Sequence, residues 1–240
     1  MKTIVILLFA LTIILFNQIS GQRAAAMTTA MVGDLKGPVV IELFTSQSCS
    51  SCPPADALLG QLAQANPAVI ALTCPVTYWN HLSWRDTLSQ EFCTARQNAY
   101  ADARNSQRVF TPEAMINGRH SAVGSSGRNI ADIIGKEAGI LDRIDIRAGK
   151  DGYTAHYDAH NTSDVVLVVF GKTHTQDIAK GENRGARVSY TNPVIALYRL
   201  PLQNGRADIA ANLILPAAAG FVILAQQGHG PITAAGQLKF

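Results

Sequence analysis

The sequence predicts an α/β domain followed by a smaller all-β domain, antiparallel and sandwich-like. Two observations carry this. From Pro38 to Leu141, strand-length apolar runs alternate with helical spacing in the order β-α-β-α-β-β-α. After Ile144 the helical period disappears, and short alternating runs separated by Gly, Asn and Pro take over. A chain of 240 residues is long enough for one large domain or two small ones. The expected division is a leader over residues 1–26, a first domain over 36–143 and a β-rich domain over 144–240.

Each element has its own signal. Val39-Val40-Ile41-Glu42-Leu43-Phe44 is β-branched and of strand length. In Pro53–Gln64, Ala55, Leu58, Leu59, Leu62 and Ala63 fall on one helical face. Ala68–Val76 is a second buried strand, and Ser89–Arg104 is a helix with Phe92, Ala95, Ala99 and Ala103 along one side. Val109–Asn117 and His120–Val123 flank Asn117-Gly118, a pair that accepts the positive φ angles of a tight hairpin. Ile130, Ile133, Ile134, Ala138 and Leu141 mark a last helix. Beyond it, Ile144–Arg147 and Tyr153–Tyr157 alternate around Gly149-Lys150-Asp151-Gly152, a hairpin signal. Val165–Phe170, Ala186–Tyr190, Val194–Leu200 and Phe221–Ala225 are further strands.

Met1-Lys2-Thr3, the apolar run Ile4–Phe16 and Ala24-Ala25-Ala26 have the layout of a secretory signal peptide. The run is too short to span a bilayer; the alternative is an uncleaved N-terminal anchor. Either way the body of the protein is expected in the periplasm or outside the cell, where disulfides persist. No membrane contact beyond the leader is expected. The formal charge is +3; without Lys2 and Arg23 it is +1, with 18 basic against 17 acidic residues. So weak and scattered a charge does not suggest nucleic acid as a partner.

The chemistry is concentrated at Cys49-Ser50-Ser51-Cys52, between the first strand and the first helix. A dithiol there closes into a disulfide with little backbone movement. The helix start, with its unpaired amides and dipole, favours the thiolate, which is the attacking species in exchange. Cys49 is thus expected as the exposed nucleophile and Cys52 as the resolving thiol. Pro53 and Pro54 suit the first turn. Gln47 and Ser48 are placed to donate hydrogen bonds to the thiolate or to a mixed disulfide. The opposing reading of the pair is an inert structural bridge.

In the order of elements, the dithiol position and Thr111-Pro112 ahead of the Asn117-Gly118 hairpin, residues 38–141 resemble the thioredoxin superfamily. The resemblance implies a cis bond before Pro112, opposite the dithiol, with Thr111 and Pro112 presenting backbone to a substrate peptide. More closely, three phrases are similar to the secreted DUF1223 family. These are Val40–Gln47 running into CSSCPPAD, Tyr78-Trp79-Asn80-His81-Leu82-Ser83-Trp84 and Gly181-Glu182-Asn183-Arg184-Gly185. That family implies a periplasmic thioredoxin-like fold with a β-rich C-terminal domain, and no demonstrated reaction.

The sequence departs from thioredoxin where a buried acid is expected six residues before the first cysteine. Leu43 stands there, and strand alternation turns its neighbour Glu42 to the opposite face. Cys74 and Cys93 depart from the DUF1223 pattern. In an oxidising compartment they most simply pair as a structural disulfide; two buried thiols, or a relay to Cys49 and Cys52, are the alternatives. Trp79, His81 and Trp84 either wall the dithiol or anchor a long loop, and Glu182-Asn183-Arg184 is either a polar site or a surface turn. No metal site and no cofactor are expected.

Three functions compete. The first is a thiol–disulfide oxidoreductase acting on a protein or small-molecule thiol or disulfide, recharged by an unidentified redox partner. The second is a Cu(I)-handling chaperone using the two thiols. The third is a non-catalytic envelope adaptor on the same scaffold.

Overall fold

In the computed structural model, which describes residues 32–33, 35–106, 108–157 and 164–240, the chain is built mainly of β-structure. The expected leader lies outside the described residues. Among those residues there are fourteen strands in four sheets, against three α-helices. This overturns the expected α/β thioredoxin-like class: the protein does not have that fold. An α/β fold needs parallel strands joined by helical crossovers. Here one helix, between the first two strands, makes that connection.

The first sheet contains β1 (Val39–Thr45), β2 (Val69–Pro75), β3 (Glu113–Ile116) and β4 (His120–Val123), in the order β2-β1-β3-β4. β1 and β2 run parallel, while β3 lies antiparallel to both β1 and β4. Every residue of β1 and β2 is buried, which explains their unbroken apolar runs. The helices are α1 (Pro53–Ala65), α2 (Glu91–Ala103) and α3 (Gly127–Glu137). α1 and α3 cover one face of the sheet, where Leu59, Leu62, Ile130 and Ile134 pack on Ile41 and Leu43.

Residues 142–240 form the rest. β5 (Asp142–Arg143), β8 (Asp164–Gly171), β11 (Val194–Pro201), β13 (Ala218–Gln226) and β14 (Ile232–Lys239) make a five-stranded sheet ordered β11-β8-β13-β14-β5. β6 (Asp145–Gly149), β7 (Gly152–His156) and β12 (Arg206–Ala210) make a three-stranded sheet, and β9 (His174–Asp177) pairs with β10 (Arg187–Tyr190).

Alternation along β8 and β13 shows how these layers meet. Val165, Leu167, Val169, Phe221 and Ile223 pack with Ala155, Ala207 and Ile209 of the three-stranded sheet. Val166, Val168, Phe170, Val222 and Leu224 point the other way, into one core with Val40, Phe44, Leu72, Met115 and Tyr100. The five-stranded sheet therefore stands between two cores, and the second core includes the far face of the first sheet. No helix among the described residues is long and apolar enough to cross a membrane.

Candidate functional site

β1 ends at Thr45 and the chain turns through Ser46–Ser51 into α1. Two backbone bonds set the turn: Cys49 N–H donates to Ser46 O at 3.1 Å, and Cys52 N–H donates to Cys49 O at 3.1 Å. Cys49 and Cys52 form a disulfide across it, with Cα atoms 5.4 Å apart. Cys52 is the N-cap of α1 and already has helical backbone angles.

Two local expectations are corrected. Cys49 is 2% exposed and Cys52 0%, so the first cysteine is covered rather than open; Ser50 and Ser51 face solvent. The helix start also offers fewer amides than expected. Pro53 and Pro54 carry none, and the Ala55 and Asp56 N–H groups both donate to Cys52 O, at 2.8 and 3.1 Å. Support for a Cys49 thiolate from that first turn is left to the helix dipole. The Ser51 hydroxyl lies 3.5 Å from the Cys49 sulfur.

Gln47 and Ser48 hold the turn instead of serving the sulfur. The Gln47 backbone N–H donates to the Asp86 carboxylate at 2.8 Å. Its side chain donates to Thr87 Oγ1 at 3.0 Å and accepts from Trp84 Nε1 at 2.8 Å. The Ser48 hydroxyl donates to Trp84 O. A third anchor comes from far along the chain. Asn183 Nδ2 donates to the carbonyls of both Gln47 and Cys49, at 2.9 and 2.8 Å. Within Glu182-Asn183-Arg184, Asn183 is 9% exposed while its two neighbours face solvent. The long loop after β2 and the Gly181–Gly185 segment thus lie over the cysteine turn.

The Thr111–Pro112 bond is cis. Trp79 Nε1 donates to Thr111 Oγ1 at 2.8 Å, and Pro112 is buried. Gly124 brings this proline to the helix start. A Cβ placed there meets Pro112 Cβ and Ala55 Cβ at 3.1 Å each, and Leu43 Cδ1 at 2.7 Å. The proline and the first turn of α1 therefore share one packed spot.

Beneath the turn lies a group that the sequence reading did not single out. Asp56, one helical turn after Cys52, is 1% exposed. Its Oδ2 accepts from the Thr45 hydroxyl at 3.1 Å, and its Oδ1 has no hydrogen-bond partner. Burial, with the nearby Asp86 charge adding to it, holds the Asp56 carboxyl well above the usual carboxylate range. Burial also raises Asp86, against the pull of its hydrogen bonds from Gln47, Leu88 and Ser89. Tyr190 lies near both acids, and burial together with their charges pushes its hydroxyl up. A signal was present in the sequence: an acid four residues after Cys52 falls on the same helical face.

Glu42 is engaged elsewhere. Its carboxylate pairs with Arg96 at 2.5 and 3.0 Å and accepts from the Tyr100 hydroxyl, all within the core. Cys74 and Cys93 form a second, fully buried disulfide with Cα atoms 5.3 Å apart, tying the end of β2 to the start of α2. His81 is exposed and contacts Tyr78 O. Among the described residues, no three His, Cys, Asp or Glu side chains gather as a metal cluster.

No curated protein matches the chain. A crystal structure of a structural-genomics protein from Agrobacterium tumefaciens is similar at 28% identity and a TM-score of 0.74, covering 86% of this chain and 96% of that one. HBP35 of Porphyromonas gingivalis is similar in fold at 13% identity and a TM-score of 0.58, covering 87% of this chain and 76% of its own. Residues 40–226, which hold the cysteine turn, the cis-proline and the Asn183 anchor, match a family described only as a protein of unknown function, and the chain belongs to that family, DUF1223.

Proposed function

We propose that the protein carries out thiol–disulfide exchange through Cys49 and Cys52, in a periplasmic or extracellular compartment. In the reducing direction, the Cys49 thiolate attacks a substrate disulfide and one substrate thiolate leaves. Cys52 then attacks Cys49 within the mixed disulfide, and the second substrate thiol departs. The substrate gains two electrons and two protons, and the protein is left with its Cys49–Cys52 disulfide. A second thiol or disulfide partner resets the couple. In this reading Thr111 and Pro112 receive the substrate backbone.

The observation that carries this reading is a disulfide closing the junction of a buried strand and a helix, packed beside a cis-proline. Two disulfides within one chain also fit an oxidising compartment. We assign residues 36–143 as the dithiol-bearing unit and 144–240 as the unit that covers it, through Asn183.

Because both cysteines are buried, exchange requires the turn that carries them to open. Burial of both cysteines equally favours a second reading, an inert structural bridge. Insulin reduction with dithiothreitol as the electron source separates the two. Exchange is expected to give turnover that falls to the dithiothreitol background in Cys49→Ala; equal rates in both proteins contradict it.

A further inference from the structure

We propose that Asp86 is the positioning residue of the cysteine turn: its negative charge holds the turn shut, and protonation opens the Cys49–Cys52 couple to reductant. Its use rests on the exchange reading above, because only a couple that cycles needs its turn to open. The hold of Asp86 on the turn does not depend on that reading.

Asp86 lies in the long loop after β2, 39 positions from the residue it holds. It is 4% exposed. Its Oδ2 accepts from the Gln47 N–H at 2.8 Å, and its Oδ1 accepts from the Leu88 N–H at 2.8 Å. The Ser46 hydroxyl lies beside the same carboxylate. The loop is folded around this group. The Asp86 N–H donates to Asn80 Oδ1 at 3.0 Å, and the Ser89 hydroxyl donates to Asp86 O at 3.0 Å.

Gln47 passes the hold on to the cysteines. It stands two residues before Cys49, and each of its polar groups bonds to another segment. Its Nε2 donates to Thr87 Oγ1 at 3.0 Å, and its Oε1 accepts from Trp84 Nε1 and the Thr87 N–H at 2.8 and 3.2 Å. Its carbonyl accepts from Asn183 Nδ2 at 2.9 Å. Beside it the turn closes from the Cys49 N–H to Ser46 O, with both cysteines buried. Among the described residues, Asp86 is the one charged group bonded to Ser46–Ser51. The Trp84, Thr87 and Asn183 contacts are neutral and do not respond to pH.

The geometry needs the charge. An ionised carboxyl is acceptor only, so it serves two N–H donors at once. A protonated one carries an O–H, and each oxygen here faces an N–H. Protonation therefore sets donor against donor at Gln47 or at Leu88, and a buried N–H without an acceptor is costly. The Leu88 bond closes a local turn, whereas the Gln47 bond joins distant segments and is the one that gives way. The titratable groups facing Asp86 are Asp56 on α1 and Tyr190 on β10. Neither is a cation, and Arg85, next to Asp86 in the chain, is exposed. Burial raises the Asp86 carboxyl against the pull of its hydrogen bonds, so the turn loosens above the ordinary carboxylate range.

The test follows the oxidised full-length protein from pH 8 to pH 4 by amide hydrogen exchange, with each rate divided by that of an unstructured peptide at the same pH. The Gln47 amide is expected to lose protection at least tenfold on acidification, with onset above the ordinary aspartate value of about 3.9. The Val168 amide, in the buried strand β8, keeps its protection within threefold. Reduction of Cys49–Cys52 by tris(2-carboxyethyl)phosphine, relative to oxidised glutathione at each pH, rises at least fivefold over the same range. Asp86→Asn turns an NH2 group toward the same donors. It shows the low protection and the fast reduction already at pH 7, with no further change in acid. Gln47 protection that stays flat in the native protein, or that falls in step with Val168, overturns the assignment whether or not the variant folds. Insulin turnover that persists beside a flat Gln47 profile leaves exchange standing. A responsive Gln47 amide in a protein without turnover removes exchange and supports the positioning role.

Discussion

Asn183 ties the two ends of the chain together at the site: one side-chain amide satisfies the carbonyls of Gln47 and Cys49. In Asn183→Ala the Gln47 carbonyl loses this bond and the Cys49 carbonyl keeps only the Cys52 N–H, a cost of about 1–3 kcal/mol, and the tie between the Gly181–Gly185 segment and the turn is lost. Cys49–Cys52 is then expected to be reduced by dithiothreitol severalfold faster than in the native protein, followed by alkylation and mass spectrometry. Asp56 works in the opposite sense on stability. Its carboxyl is raised in the folded state by burial, so the native protein binds more protons than the unfolded chain above the ordinary carboxylate range. Stability from this group is therefore full in acid and falls as pH rises. Asp56→Asn removes that loss, so urea midpoints are expected to favour the variant at pH 8 and to converge in acid, below the ordinary carboxylate range. At this scale the cysteines were legible because their spacing is local. Asn183 was left between a polar site and a surface turn, because its partners lie 134 and 136 positions away.

Among the elements, the most legible were those whose environment is uniform along their length. α1 shows its apolar face in the spacing of Leu59 and Leu62, and β8 is apolar from Val165 to Phe170 because both of its faces are in a core. The expected strand Val109–Asn117 shrank to Glu113–Ile116, with the cis-proline setting its start. β9 was missed because His174-Thr175-Gln176-Asp177 is polar and mostly exposed, and β14 because Ala234-Ala235-Gly236 packs small residues against Ile144. The Cys74–Cys93 disulfide bridges β2 and α2 over a sequence separation of 19. In the chain-entropy account, a loop of that size stabilises by about 3 kcal/mol. The double variant Cys74→Ala, Cys93→Ala is expected to lose about that much in denaturant unfolding, with exchange at Cys49 retained when assayed well below the transition.

For the molecule as a whole, the order of elements in the first half was read correctly, yet the class assigned from it was wrong. The β-rich half contributes more strands than its weak alternation revealed, and its five-stranded sheet shares a core with Val40, Phe44, Leu72 and Met115. That shared core brings Asn183 over the cysteine turn and sets Thr191 and Asn192 behind Asp56, so the site belongs to both halves. The proposed function requires that one of the two disulfides be redox-active. Equilibrating the protein in graded dithiothreitol and glutathione buffers, then counting alkylated cysteines by peptide mass spectrometry, measures this directly. The expected result is reversible reduction of Cys49–Cys52 within the range of disulfide enzymes, roughly −270 to −120 mV, while Cys74–Cys93 stays oxidised. If Cys49–Cys52 resists reduction to below about −300 mV, as structural bridges do, the exchange function is contradicted.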